Sequence, residues 1–214
     1  MEVDVTTIRT AAGMLLLFTL LTGLLYPLAM TGIAQSLFPW QANGSLVYKG
    51  GRIDGSALIG RWTEDPKYFW PRRSATTPGP YNAASSIGSN FGPFNPDLKK
   101  AVDARRKALQ KADPENRLPI PIDLVTASAS GLDPHISPAG AAYQAARVAR
   151  TRGLDPRVVH HLIEQCTEER QWGFLGEPRV NVFRLNQALD RLMPQAANLM
   201  TGTAAGSLGE SKSF

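Results

Sequence analysis

The sequence predicts an α+β chain in which one N-terminal transmembrane helix is followed by a single outer domain of short strands and about four helices. Three observations predict it. No Asp, Glu, Lys or Arg occurs between Arg9 and Lys49. The stretch from Ser45 to Pro96 is rich in Gly, Pro, Ser and Asn, with brief β-type segments. The second half carries repeated helix-start signals, each an Asn, Asp or Ser directly before a Pro or an apolar stripe.

The first element is residues 11–34, dominated by Leu, Ala, Thr, Gly and Met. A helix over that span is about 36 Å long, enough to cross a bilayer core with some tilt. Pro27 and Gly32 lie inside it, and Pro27 predicts a kink. Tyr26, Phe38 and Trp40 sit toward the far end, where aromatic rings favour the membrane interface. Gly32-Ile33-Ala34 also reads as a small-x-small cleavage site. The apolar stretch is longer than a signal core, however, and Arg9 alone offers a charged front, so an uncleaved anchor is predicted. Charge gives no orientation: Glu2 and Asp4 oppose Arg9, and Lys49 and Arg52 follow the helix.

Residues 35–193 form the outer domain, large enough for its own core. Leu46-Val47-Tyr48 predicts a strand ended by Gly50-Gly51, and Ala57-Leu58-Ile59-Gly60 a second. Pro78-Gly79-Pro80 and Gly88-Ser89-Asn90 read as turns. Trp62, Tyr68, Phe69, Trp70 and Tyr81 recur through this loop-rich region. They either pin the loops to their own domain or meet a partner or membrane surface.

Asn95-Pro96-Asp97 starts a helix running to about Lys111, with Leu98, Val102, Arg105, Leu109 and Ala112 on its inner edge. Lys99, Lys100, Asp103 and Lys107 form its solvated face. Asp113-Pro114 breaks it, and Leu124-Val125 predicts a brief extended piece. Ser137-Pro138 starts a helix with a small-residue face, ended by Gly153. Asp155-Pro156 starts another, carrying Val158, Val159, Leu162, Ile163 and Cys166. Residues 170–178 form a loop, and a last helix follows Asn181 with Phe183, Leu185, Leu189 and Leu192 for burial. The tail 194–214 is predicted to be disordered.

Composition narrows the function. The chain has 23 Lys+Arg against 18 Asp+Glu, a net charge of +5. The basic residues are scattered and form no stripe with aromatics, so no nucleic-acid partner is predicted. Cys166 is the only cysteine, which excludes an intrachain disulfide framework and zinc-type pairs. Its apolar stripe predicts a structural thiol.

The central run, residues 123–138, concentrates the reactive side chains: Asp123, Thr126, Ser128, Ser130, Asp133, His135 and Ser137, with Gly131 and Pro134 between them. By residue type it offers a hydrolase, with Ser128 or Ser130 as nucleophile, His135 as base and Asp123 or Asp133 as orienter. Neither serine has a glycine two residues before it, so no nucleophile elbow is present. Asp133-x-His135 lacks further metal ligands at useful spacing. The same residues read economically as structure. Asp123 and Thr126 bond turn amides, Gly131 takes a positive φ, Asp133-Pro134 starts a turn, and Ser137-Pro138 caps a helix. No phosphate-binding glycine loop and no Asp-Lys-Thr-Gly phosphorylation run occur.

This central run resembles that of the C subunit of the Kdp potassium-transporting P-type ATPase. The resemblance extends to Gly55-Ser56-Ala57-Leu58-Ile59-Gly60, Pro66-Lys67-Tyr68-Phe69-Trp70, Arg72 with Ser74-Ala75, Tyr81-Asn82, Gly88-Ser89-Asn90-Phe91-Gly92-Pro93, Arg147-Val148-Ala149 with Arg152-Gly153, and Gly176-Glu177-Pro178-Arg179-Val180-Asn181-Val182. It departs at Arg73, where a proline is expected, at Phe91, usually Leu, and in the tail after Pro194.

The resemblance implies a non-catalytic subunit of an ATP-driven potassium uptake complex in the cell inner membrane. Its partners would be a channel-like A subunit, an ATP-hydrolysing B subunit, a small F peptide and the lipid bilayer. It implies a short cytoplasmic N-terminus, residues 1–10, and an outer, periplasmic domain. It also implies an assembly factor and catalytic chaperone that raises the B subunit's affinity for ATP. ATP and K+ are then used by the complex, with no cofactor, metal or catalytic residue assigned to this chain.

Overall fold

The computed structural model describes residues 4–192, so the predicted disorder of the tail lies outside the described residues. The chain divides into two compact units at Ser56/Ala57.

The first unit begins with a continuous helical run, Val5–Leu37, whose side chains are unburied and whose mean hydropathy over its most apolar window is 1.9. It comprises α1 (Val5–Leu20), a π-helical turn (Leu21–Leu25) and α2 (Tyr26–Leu37), so it extends past 11–34 at both ends. The π turn falls directly before Pro27, whose ring and missing N–H disturb the ladder one turn back. Each hydroxyl of Thr10, Thr22, Thr31 and Ser36 donates to the carbonyl four residues earlier. These hydroxyls therefore present no unsatisfied donor to an apolar surround.

A one-turn helix, α3 (Pro39–Ala42), then leads into a hairpin of β1 (Leu46–Lys49) and β2 (Arg52–Ser56). Gly50 and Gly51, both at positive φ, form its two-residue turn. The second strand therefore starts at Arg52, and the expected strand at residues 57–60 is instead a turn. The two glycines reverse the chain at once, so pairing uses the residues immediately after them. The hairpin is fastened to the helix end. Trp40 Nε1 donates to Leu46 O at 3.0 Å, Ser56 Oγ donates to Gly44 O, and the Gln35 and Asn43 amides pair.

The second unit is α+β. Its helices are α4 (Pro96–Ala112), the one-turn α5 (Ile122–Val125), α6 (Pro138–Arg152), α7 (Pro156–Gln165) and α8 (residues 182–192). The starts of α4, α6 and α7 follow their caps: Asn95, Ser137 and Asp155 each accept a backbone N–H of the first turn. α5 replaces the extended piece expected at Leu124-Val125. Pro121 accepts from the Leu124 amide, and the turn buries Leu124 completely. A three-stranded antiparallel sheet, absent from the sequence reading, joins β3 (His135–Ile136), β5 (Arg179–Asn181) and β4 (Thr167–Glu168) in the order β3-β5-β4. Its strands are too short to show an alternating pattern.

One apolar core serves this unit, with Val148, Val159, Val180, Leu185 and Leu189 among its fully enclosed members. Segment 66–73 crosses it without regular hydrogen-bonded structure until its end. Eight consecutive carbonyls are nevertheless satisfied. Pro66 O and Tyr68 O accept from Arg147, and Lys67 O accepts from Arg152. Pro71 O accepts from Arg105, Arg72 O from the Tyr81 hydroxyl and Arg73 O from the Ser128 amide.

Between them, Phe69 pairs through both N–H and C=O with the Asn186 amide, and Trp70 pairs in the same way with Gln144. Successive residues of an extended chain present their amides to opposite edges, so α8 and α6 each act as a neighbouring strand. The Trp70 indole lies 5.0 Å from the Arg105 guanidinium and 4.9 Å from that of Arg147. Trp62 and Tyr68 take further guanidinium contacts, from Arg105 and Arg152. The aromatics of the loop-rich region thus pin the loops to their own domain. Burial lowers the pKa of both Arg105 and Arg147 to about 10, so both stay charged at neutral pH.

Gln144→Leu removes both partners of the Trp70 backbone and one acceptor of Arg147. Each buried group left unsatisfied costs about 1–3 kcal/mol. The expected result is a destabilisation of about 3 kcal/mol or more, read as a lowered thermal unfolding midpoint of the full chain in detergent. A midpoint unchanged from wild type would remove the claim that these amide pairs hold segment 66–73.

Candidate functional site: the central run as a joint

The central run folds as a chain of local caps and turns. The Asp123 carboxylate accepts from the Ser137 amide at 2.7 Å and from Ser137 Oγ at 3.1 Å, and Ser137 Oγ accepts from Gly140 N at 2.9 Å. Asp123 on α5 thereby secures the first turn of α6, where a carboxylate also suits the positive helix end. The cradle is tight at Gly140: a Cβ there would stand 2.9 Å from Asp123 Oδ2, so the carboxylate would have to shift. Thr126 differs from its expected role, because its hydroxyl donates to the Ile122 carbonyl rather than bonding an amide.

Ser128 and Ser130 tie the run to the loops in front of it. The Ser128 amide donates to Arg73 O, and Ser130 O accepts from Ile87 N and Ser86 Oγ. Ser130 Oγ accepts from Leu132 N. Gly131 has φ +69, as expected, and its carbonyl accepts from Ser74 Oγ. A Cβ at Gly131 would meet Thr76 Cγ2 at 2.6 Å and Ile87 O at 2.7 Å, so both conformation and space demand glycine.

Asp133 is the charged centre of the run. Its Oδ1 accepts from the His135 amide and faces His135 Nδ1, each at 3.0 Å, and its Oδ2 pairs with Arg72 at 3.2 Å. Burial works against the ionised carboxylate. The hydrogen bonds from His135, with the charges of His135 and Arg72, still hold it below the usual carboxylate range. Pro134 O accepts from Val182 N, and β3 pairs His135 with Asn181. His135 Nε2 faces Glu168 Oε2 at 3.9 Å, and the Glu168 carboxylate also meets Arg179 and Arg184.

This arrangement does not assemble a hydrolase. Both ring nitrogens of His135 face carboxylates, Asp133 on one side and Glu168 on the other. The Ser128 residue is 2 % exposed and its buried hydroxyl has no hydrogen-bond partner among the described residues. Nucleophilic catalysis needs a serine within hydrogen-bond reach of its base. An open cavity of about 400 Å³ touches Thr126, Arg73, Asp97 and Phe91, but not Ser128, Ser130, Asp133 or His135. No group of three or more His, Cys, Asp or Glu suited to a metal ion occurs among the described residues. Cys166, half-buried at the end of α7, has its thiol pKa raised by burial, as befits a structural residue.

Sequence reasoning found the residues of the joint but not the partners that define it. Arg72, Ser74, Tyr81 and Glu168 come from three other segments. Of these, Arg72, Ser74 and Tyr81 lie in segments that carry the family resemblance, and Tyr81 is also among the aromatics of the loop-rich region.

The lowered Asp133 pKa has a consequence for stability. A carboxylate whose folded pKa is depressed contributes stability that is complete above its unfolded pKa, about 3.9, and is lost as pH falls toward the folded value. Wild type should therefore lose stability in acid below about pH 4, and Asp133→Asn should flatten that part of the profile. Equal acid sensitivity in both would remove Asp133 as a contributor. Gly140→Ala should separate Asp123 from Ser137 and lower the unfolding midpoint, which Asp123→Ala combined with Gly140→Ala should lower little further.

The chain matches the family model described as "K+-transporting ATPase, c chain" over residues 8–191. The potassium-transporting ATPase KdpC subunit of Methylococcus capsulatus is 60 % identical over 184 residues, covering 86 % of this chain and 97 % of the relative. That of Dechloromonas aromatica is 60 % identical over 185 residues, with the same coverage. That of Variovorax paradoxus is 61 % identical over 183 residues, covering 86 % of this chain and 95 % of its own. With its long apolar helix, its α+β second unit and this match across nearly the whole described chain, the protein belongs to the family of K+-transporting ATPase c chains, the KdpC subunits.

Proposed function

We propose that this chain is the single-pass accessory subunit of an ATP-driven potassium uptake complex. Residues 1–10 face the cytoplasm, 11–34 span the cell inner membrane, 35–193 form the domain outside it, and 194–214 are a tail. The observation that carries this reading is the family match across residues 8–191, which includes the apolar helix as well as the domain. Its partners are a channel-like A subunit, a P-type B subunit that hydrolyses ATP, and a small F peptide.

In this reading the second unit is a rigid adaptor, and the central run is the joint that keeps it rigid. The chain performs no chemistry of its own. It acts as an assembly factor and as a chaperone of catalysis that raises the affinity of the B subunit for ATP. A domain outside the membrane cannot touch cytosolic nucleotide. Its effect on ATP use therefore comes from binding one conformation of the complex more tightly than another, with the free energy of that preference transmitted to the nucleotide site.

Two measurements test the proposal. A tagged chain extracted in mild detergent should recover the A and B subunits in stoichiometric amounts; recovery of the chain alone would overturn the assignment. Adding the chain to membranes that carry A and B without it should lower the KM for ATP. An unchanged KM would remove the chaperone role and leave subunit membership intact. Ser128→Ala, Ser130→Ala and His135→Ala should leave turnover of the assembled pump unchanged wherever the complex still forms.

A further inference from the structure

A cavity of about 400 Å³ opens in the second unit between the first two turns of α4 and the loops at residues 73–75, 88–91 and 125–127. Its lining is divided by chemistry. Phe91, Leu98, Val102 and Val125 give it apolar walls, Arg73 and Ser89 give it donors, and Asp97 contributes a carboxylate.

The walls are held in place. Arg73 is bridged to Ala127 and its carbonyl accepts from the Ser128 amide, so the base of its side chain is fixed. Ile87 N and Ser86 Oγ both donate to Ser130 O, and a Cβ at Gly88 would stand 2.6 Å from Ala129 O, so this loop lies tightly on the central run. Asn95 caps α4 through the Asp97 amide at 2.8 Å. A cavity between elements fastened in this way needs little reordering to receive a ligand.

The charges around it leave one cation over. Arg72 pairs with Asp133, Lys100 with Asp97 at 3.0 Å, and Arg105 with Glu64 at 3.7 Å. The half-buried Arg73 side chain pairs with no carboxylate and donates to no acceptor among the described residues. Acceptors are scarce beside it. Arg72 Nε, from the preceding residue, and Arg105 Nη1, one turn beyond Ala101 on α4, are buried N–H groups without a hydrogen-bond partner among the described residues. After burial, the Arg73 charge is the next cause holding the Arg105 pKa down to about 10, so these two cations repel one another. An anion on Arg73 relieves that repulsion.

The donor set decides which anion fits. Ser74 Oγ already donates to Gly131 O and Thr126 Oγ1 to Ile122 O, which leaves Ser89 as the free hydroxyl donor of the lining. One guanidinium fork with one hydroxyl matches the two oxygens of a carboxylate. A phosphate dianion asks for more donors and is repelled by Asp97 in the same lining. The apolar walls suit a ligand with a hydrocarbon body rather than a bare ion.

We propose that this cavity binds a small organic monocarboxylate, its carboxylate held by Arg73 and Ser89 and its apolar body packed against Phe91, Leu98, Val102 and Val125. The site goes beyond the subunit assignment and stands independently of it.

The test titrates benzoate into the full chain in detergent by calorimetry, with protein-free micelles as the reference for partition. Wild type should give a saturable heat with a Kd in the low-millimolar range or tighter. Arg73→Gln, which removes the charge-assisted pair, should weaken binding about tenfold or more, and Arg73→Lys, which keeps the charge and loses the fork, should fall between the two. The Arg73→Gln chain should keep an unfolding midpoint at or above that of wild type, because the repulsion on Arg105 is gone. Val102→Phe should fill the cavity and abolish binding with Arg73 intact. Benzyl alcohol and inorganic phosphate should give no saturable heat. The absence of saturable benzoate binding, or wild-type affinity in Arg73→Gln, overturns the site. Phosphate bound as tightly as benzoate overturns the carboxylate assignment.

Discussion

The second unit depends on the contact of the Trp70 indole with two buried guanidinium groups, and on the backbone pairing that surrounds it. Arg105 is 1 % exposed and comes from α4; Arg147 comes from α6. Two buried cations are costly unless hydrogen-bonded and placed against a favourable quadrupole. Here each guanidinium lies against the indole, and its donors reach carbonyls of segment 66–73. The segment gains partners for carbonyls that no neighbouring strand supplies, and the cations gain acceptors. Neither side is stable in the core without the other, so α4, α6 and the front loops form one mutually dependent packing.

From that centre the order passes to the central run. Arg72, at the end of the clamped segment, pairs with Asp133, and the Arg73 carbonyl receives the Ser128 amide. Asp123 secures the start of α6, and His135 places β3 beside β5. The polar side chains that resemble a catalytic set are largely occupied by this joinery. Their hydrogen-bond capacity is spent on backbone amides, a neighbouring arginine and a glutamate. Beyond this joinery, Trp172, Phe174 and Leu175 of the loop between β4 and β5 stay exposed.

The first unit follows a different logic. Its helix has no protein core to bury against among the described residues, and the hydroxyls of Thr10, Thr22, Thr31 and Ser36 are satisfied within the helix itself. Hydroxyls bond back one turn, and a π-helical turn accommodates Pro27. At its end, Trp40, Gln35, Asn43 and Ser56 fasten a two-stranded hairpin that would be marginal alone. Polar side chains at the helix exit thus set where the chain turns.

Features governed by neighbours in the chain were legible in the sequence. The long apolar helix follows from a charge-free run, and α4, α6 and α7 from caps placed beside their own prolines, because both depend on residues a few positions apart. Ser137 as a helix cap and Gly131 at positive φ were legible for the same reason, whereas Asp123, read as bonding amides of its own turn, instead accepts from Ser137, 14 residues on. The second strand of the hairpin was missed because Gly50-Gly51 was read as an ending rather than a reversal, and β3, β4 and β5 because two or three residues carry no period. What only tertiary structure decided are the long-range pairings: Trp70 with Gln144, 74 residues apart, Phe69 with Asn186, 117 residues apart, and Asp133 with Arg72, 61 residues apart. No local pattern encodes them, since a buried amide or guanidinium is chosen by which backbone group the fold leaves without a partner, and that is known only once the whole domain has closed.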